Sequence, residues 1–182
     1  MLTKRLHIRA WLLVLAIYLF QAASMRAQNV QIVSMNKYLA TCLYNFSRTI
    51  NWPQECKSGH FIIGVVGNKA LMSELATLTQ NYKVGMQPVT VQYFQSIDEI
   101  SCFQHILFID HRQSYRIEKA LQKTHPKNTL VVTDAEDLTG RGSMINFIAV
   151  DGLMKFEIST TNLKKTNLAV SSQLIRMAEV LY

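Results

Sequence analysis

Cysteine, proline and acidic residues are all scarce in this sequence: three Cys, three Pro and 12 Asp+Glu among 182 residues. Three cysteines are too few for a disulfide-built scaffold, and no CxxC pair or Cys/His cluster suggests a metal. His60, His105, His111 and His125 share no ligand-like spacing, so neither a zinc site nor a bound cofactor is expected. So little proline argues against an extended low-complexity chain. GxSxG and GxxxxGK[ST] are missing, and Gly64-Val65-Val66-Gly67 is not a GxGxxG fingerprint. No nucleophile elbow, P-loop or dinucleotide turn is therefore encoded. The longest apolar run, Ala10 to Phe20, has 11 residues, well short of the ~20 that span a bilayer as a helix.

What is present begins with an address. Lys4, Arg5, His7 and Arg9 precede that apolar run, and the small, polar QAASMRAQ follows it. A basic start, a short apolar stretch and a small-residue exit make a cleaved signal peptide over residues 1–27, with Ala27 at the cut. One α/β domain, residues 28–182, is expected to remain, working outside the cytoplasm. The formal charge of +7 is partly the leader's. Setting aside Lys4, Arg5, Arg9 and Arg26 reduces 19 basic residues to 15 against 12 acidic ones, about +3. Nucleic acid loses its electrostatic support as a partner. Export permits a disulfide, and Cys56 could pair with either Cys42 or Cys102, leaving one thiol over.

Along the mature chain, Met35, Tyr38, Leu39, Cys42, Leu43, Phe46 and Ile50 recur at helical spacing, with Ser34 as N-cap. Trp52-Pro53 ends that helix, because a residue before proline avoids the α region. Tyr44, Phe46, Trp52 and Pro53 are read as structural, gathered where this helix meets a sheet. Phe61–Val66, His105–Ile109 and Leu130–Thr133 are unbroken apolar runs of the kind buried on both faces of a parallel sheet. Val89–Phe94 is a further strand, and helices are expected over Ala70–Gln80 and Gln113–Thr124. This alternation predicts a mostly parallel sheet flanked by helices. The last third changes pattern. Met144–Val150 and Leu153–Ile158 flank Asp151-Gly152, a hairpin signal. Met154, Phe156 and Ile158 alternate with Lys155 and Glu157, which predicts one buried and one wet face. A short helix near Asn162–Thr166 and a final helix from Ser172, with stripe Leu174, Ile175, Ala178 and Leu181, complete the chain.

Ligands of open α/β sheets sit beyond the carboxyl ends of the strands. Those ends carry Gly67-Asn68, Asp110-His111-Arg112 and Thr133-Asp134, while Gly140, Arg141 and Gly142 lead into the hairpin. Asp110, His111, Asp134, Arg141 and Met144 are the candidates for binding a ligand or partner. Ordinary loop chemistry, with Asn68 as a cap and the aspartates as turn residues, is the competing explanation. Asp110, Asp134 and His111 could exchange protons, but no motif supplies a nucleophile, and an enzyme is not expected.

Two segments carry a resemblance: CLYNFSRTINWP around Tyr44-Asn45-Phe46 and Asn51-Trp52-Pro53, and the stretch from GRGSMINF through FEIS to the terminal SSQLIRMAEVLY. Between them FIIGVVGNKAL and CFQHILFID fall in matching order. Together these resemble the YfiR family of bacterial exported proteins over essentially the whole mature chain. The resemblance implies a Rossmann-like α/β sandwich, often dimeric, in the periplasm of a Gram-negative envelope. It implies regulation rather than catalysis: restraint of a membrane-bound diguanylate cyclase, or of a histidine kinase, through its extracytoplasmic domain. Cyclic-di-GMP and biofilm would be the output. A periplasmic small-molecule sensing domain is the alternative. Many members carry Cys where Gly64 stands, so Cys102 lacks that partner here.

Overall fold

In the computed structural model, residues 35–124 and 128–182 are described; the expected leader, its cut at Ala27 and the Ser34 cap lie outside them. The first helix, α1, covers residues 35–49 and turns Leu39, Leu43 and Phe46 inward, the i, i+4, i+7 stripe of an amphipathic helix. It runs straight into a two-residue strand, β1 (Ile50–Asn51), and the chain then leaves through Trp52-Pro53. A single 3-10 turn, Gln54–Cys56, occupies the loop beyond.

The sheet centre matches its apolar runs. Strands β2 (Phe61–Val66), β4 (Gln87–Phe94), β5 (Ile106–Ile109) and β6 (Leu130–Thr133) are parallel neighbours in the order β4-β2-β5-β6. β5 and β6 are buried along their whole length, because helices cover both faces. Helix α2 (Lys69–Thr79) makes the β2-to-β4 crossover, capped by Asn68 Oδ1 accepting from Leu71 N–H at 2.9 Å. Helix α3 (Ile117–Lys123) makes the β5-to-β6 crossover after a 3-10 turn, Ser114–Arg116, so the second helix is shorter than its apolar pattern predicts. These crossovers step in opposite directions from the β2/β5 pair, and right-handed connections then place α2 and α3 on opposite faces. Gly64 belongs to this centre. A Cβ there would lie 2.9 Å from Gln104 Cγ and 3.0 Å from Leu107 Cδ1, so a side chain at this position would require those neighbours to shift. Cys42, Cys56 and Cys102 are all free thiols.

Antiparallel strands close both sides. β3 (Lys83–Val84) pairs with the start of β4 through a turn at Gly85-Met86, a hairpin that the sequence pattern left unassigned. On the other side β7 (Ile145–Val150) runs parallel to β6, and β8 (Leu153–Ile158) returns antiparallel to it. The Asp151-Gly152 turn is as expected, both residues having positive φ (51° and 75°). The edge-to-face contact of Phe46 with Phe156, at 5.2 Å, and its stacking on Phe147, at 5.9 Å, seat α1 on this hairpin.

Three expectations need correction. Glu157 does not face water: it is buried, and Asn146 Nδ2 donates to its Oε1 at 3.0 Å. Lys155, the other position that alternation turns outward, stays part-exposed and pairs with Glu179 at 2.9 Å, so the expectation fails at Glu157 alone. The short helix α4 is Thr160–Leu163, earlier than its polar composition suggested, with Ser159 Oγ accepting from Asn162 N–H. The last helix, α5 (Ser172–Met177), stops after six residues. Ala178 is already extended, and the chain continues as β10 (Val180–Leu181), parallel to β8. Hydrogen bonds from Glu179 N to Phe156 O (2.9 Å) and Tyr182 N to Ile158 O (3.0 Å) satisfy backbone groups that β8 would otherwise leave at an edge. A ninth strand, β9 (Ala169–Val170), pairs antiparallel with β1 outside the main sheet. The main sheet is eight-stranded, ordered β10-β8-β7-β6-β5-β2-β4-β3, a Rossmann-like α/β sandwich with the C-terminal hairpin expected. Residues 37–182 form one compact unit.

Candidate functional site

Gly67, Asp110 and Asp134 each follow directly on the last residue of β2, β5 and β6, so three adjacent parallel strands deliver them to one crevice. Gly67 turns the chain at φ +80°, a left-handed conformation that favours glycine. A Cβ there would also meet Gln113 Cγ at 3.0 Å and Asp110 Cβ at 3.4 Å. The Asp110 side chain is buried, and Arg112 satisfies it from two residues away. Arg112 Nε donates to Asp110 Oδ1 at 2.7 Å, Nη2 to Oδ2 at 3.2 Å, and the Arg112 backbone N–H to Oδ1 at 3.1 Å. The same Nη2 also donates to Gly67 O at 2.9 Å, tying the ends of β2 and β5 together. This charge-assisted fork holds the Arg112 guanidinium more firmly protonated than usual.

His111 bridges the two carboxylates. Its Nδ1 lies 3.6 Å from Asp110 Oδ1 and 3.6 Å from Asp134 Oδ2, while the ring is 59% exposed. Asp134 is only 12% exposed, and its Oδ1 has no hydrogen-bond partner. Burial first, and then the charge of Asp110, push its carboxyl up to about 6 against the pull of His111. Gln113 Oε1, also in this corner, is likewise unpartnered. The crevice can take up or release a proton near neutral pH at Asp134, and it keeps two buried acceptor oxygens without a partner. Ligand atoms of Asp110, His111 and Asp134 lie within 4.8 Å of one another, the convergence expected of neighbouring strand ends. Both Asp110 oxygens are already engaged by Arg112, so a cation would have to displace a guanidinium there.

Arg141 and Met144 do not join this group. Arg141 Nε and Nη2 each donate to a Glu118 carboxylate oxygen at 2.9 Å, and Nη2 also to Tyr115 O at 3.0 Å, strapping the hairpin's leading loop to α3. Glu118 is held below the usual carboxylate range by that guanidinium. Met144 is 4% exposed and lies in the core, its N–H donating to Val131 O and its carbonyl accepting from Ser159 N–H. Nearby, Thr133, Ser143 and Asn146 form a buried polar chain that reaches Glu157, a network with no local signal because its members come from four elements or loops.

The aromatic residues read as structural occupy three places. Phe46 packs on β7 and β8, Tyr44 contacts Tyr82 at 5.0 Å, and Trp52 meets Phe61 edge-to-face at 4.9 Å. Trp52 Nε1 donates to Asn128 O at 3.0 Å, and Pro53 sets the exit into the 3-10 turn. His105 is buried under this group, stacked on Phe61 at 4.3 Å. Its Nδ1 accepts from Ile62 N–H at 3.0 Å, so Nε2 carries the proton donated to Cys56 O at 2.8 Å; burial lowers its pKa and keeps it neutral.

Compared with known protein families, the chain matches the YfiR/HmsC-like family over residues 36–179. No curated protein matches it. Among the described residues, no helix is long and apolar enough to cross a membrane.

Proposed function

Because the chain belongs to the YfiR/HmsC-like family, we propose that it is a periplasmic regulator that binds the extracytoplasmic domain of a membrane-bound diguanylate cyclase and holds its output low. The family match over residues 36–179 is the observation that carries this reading. The family is regulatory rather than catalytic, and the signal-peptide pattern of residues 1–27 agrees with a periplasmic address.

A restrainer must bind the inactive state of its partner more tightly than the active one. A tenfold preference, about 1.4 kcal/mol, changes output measurably if the partner sits near balance. The contact face we assign is the hairpin end and the C-terminus. Met177, Leu181 and Tyr182 are large apolar side chains exposed along the C-terminal segment, and Leu153 is exposed at the other end of β8, by the hairpin turn. Asp134 and Arg141 flank the same half of the sheet; Met144, being buried, would act only by supporting it.

The test is deletion of the gene, followed by complementation with the full chain, with a chain lacking residues 2–27, and with a Met177→Asp/Leu181→Asp variant. Cyclic-di-GMP and biofilm mass should rise on deletion and fall again only with the full chain. Unchanged levels on deletion, with no membrane protein recovered by cross-linking, would reject the reading.

A further inference from the structure

The two edges of the main sheet are finished differently. On one, β10 pairs with β8 and takes up its outward backbone groups. On the other, β3 covers only the first two residues of β4, Gln87 and Pro88, of the eight in that strand. Alternation fixes which backbone groups of the remainder point outward. Phe94 O accepts from Gly67 N–H and so points inward, toward the β2 side. Val89 and Gln95 point the other way: Val89 N–H donates to Tyr82 O at 3.3 Å, and Gln95 N–H to Glu99 Oε2 at 2.7 Å. Val91 and Tyr93 lie between these two and in phase with them, so their N–H and C=O groups face outward. Among the described residues no strand pairs with them there, and both residues are only half-buried. An open row of this kind is a template for another strand.

We propose that the open edge of β4 receives a short extended segment of another polypeptide as an added strand. Only an extended backbone repeats its donors and acceptors at the spacing of Val91 and Tyr93, about 7 Å along the strand. The side chains set its sequence. Val89, Val91 and Tyr93 share a face with Ile63 and Val65, opposite the α3 face to which Phe94 and Val66 belong. Thr90 and Gln92 lie on that second face, Thr90 Oγ1 hydrogen-bonded to His60 Nδ1 at 2.7 Å and Gln92 Oε1 accepting from Cys102 Sγ at 3.4 Å. The segment that fits therefore alternates apolar with uncharged polar residues, its apolar ones beside Val91 and Tyr93. Its direction follows from the ends of the slot. Lys83, exposed and in no ion pair among the described residues, stands at the start, and exposed Glu99 at the finish. An antiparallel segment with a basic residue at its amino end and an acidic one at its carboxyl end meets an opposite charge at each. A second copy fits less well: the open stretch is shorter than β4, so two such edges laid antiparallel would drive each β3 into the other's strand. This edge lies across the sheet from the face assigned to the cyclase, and the claim does not rest on the regulatory reading.

The purified protein is titrated by calorimetry with the acetylated, amidated peptide Lys-Val-Thr-Val-Thr-Val-Glu, and amide exchange is followed by NMR. The peptide should bind saturably. The Val91 and Tyr93 amides should exchange quickly in the free protein and be slowed about tenfold or more by the peptide, while those of Thr90 and Gln92, turned toward β2, are slow in both. N-methylating the peptide's valines, whose amides face β4 in this pairing, should weaken binding at least about tenfold; N-methylating its threonines, whose amides face away, should not. Val91→Pro, which deletes an N–H that the fold itself leaves free, should weaken binding by the same factor. Melting curves establish whether that variant is folded, and the methylated peptides serve alone if it is not. No saturable binding, equal affinity of the two methylated peptides, or unchanged affinity in folded Val91→Pro overturns the site. Protection of Val91 and Tyr93 that rises with protein concentration, with a dimer on size-exclusion chromatography, overturns the peptide as occupant in favour of a second copy. Each of these results leaves the cyclic-di-GMP experiment standing.

Discussion

Asp134 shows how one carboxylate can be both a cost and a sensor. Its Oδ1 is buried without a partner while Asp110 sits beside it, so ionisation is penalised in the folded chain and not in the unfolded one. With the carboxyl pushed up to about 6 from about 3.9 when unfolded, the folded state holds the extra proton between those values. Stability should thus be highest below pH ~4 as far as this group is concerned, and fall as pH rises through about 6. Asp134→Asn removes the ionisation penalty. It should raise stability at pH 7–8 by about 1–3 kcal/mol and flatten the profile between pH ~4 and ~6, as read by urea unfolding at several pH values. Equal profiles for the two proteins would place the proton elsewhere. Asp110 and His111 face the same group from one side, and Arg112 donates to both Asp110 oxygens.

Trp52 decides how one element leaves and another enters. It ends the α1–β1 unit, packs on Phe61 at the start of β2 and donates to Asn128 O ahead of β6. Trp52→Ala should therefore cost about 3–5 kcal/mol, the range for emptying a buried aromatic site. A shift of only a degree or two in melting temperature would mean that the ring contributes little. Legibility varied by element for similar reasons. β2, β6 and β8 coincide with their apolar runs, because such runs bounded by turn residues admit few other placements. The stripe Leu174, Ile175, Ala178 and Leu181 reads equally well as a helix, but only its first two members are helical. Tertiary pairing overrode the local pattern there. The β3 hairpin was missed because two residues are too short to show a period.

The C-terminus closes the sheet of the whole molecule. β10 covers β8, and Thr160 N–H donates to Tyr182 O at 2.7 Å, so the last residue is tied to α4. A chain ending at Ala178 would expose the β8 edge and uncover Glu157. It should self-associate on size-exclusion chromatography and be cut faster by protease than the full chain; a monomer of unchanged resistance would show β10 to be dispensable. By itself the sequence determined the α/β class, the central parallel strands, the Asp-Gly turn and the gathering of Asp110, His111 and Asp134, because strand ends in such sheets converge. Only the tertiary structure decided that Arg141 straps α3, that Met144 and Glu157 are buried, and that Arg48, Lys57 and Lys83 line one cavity. Those outcomes depend on which distant segments meet: periodicity reports one residue's own face, while burial and charge pairing belong to the neighbour that covers it.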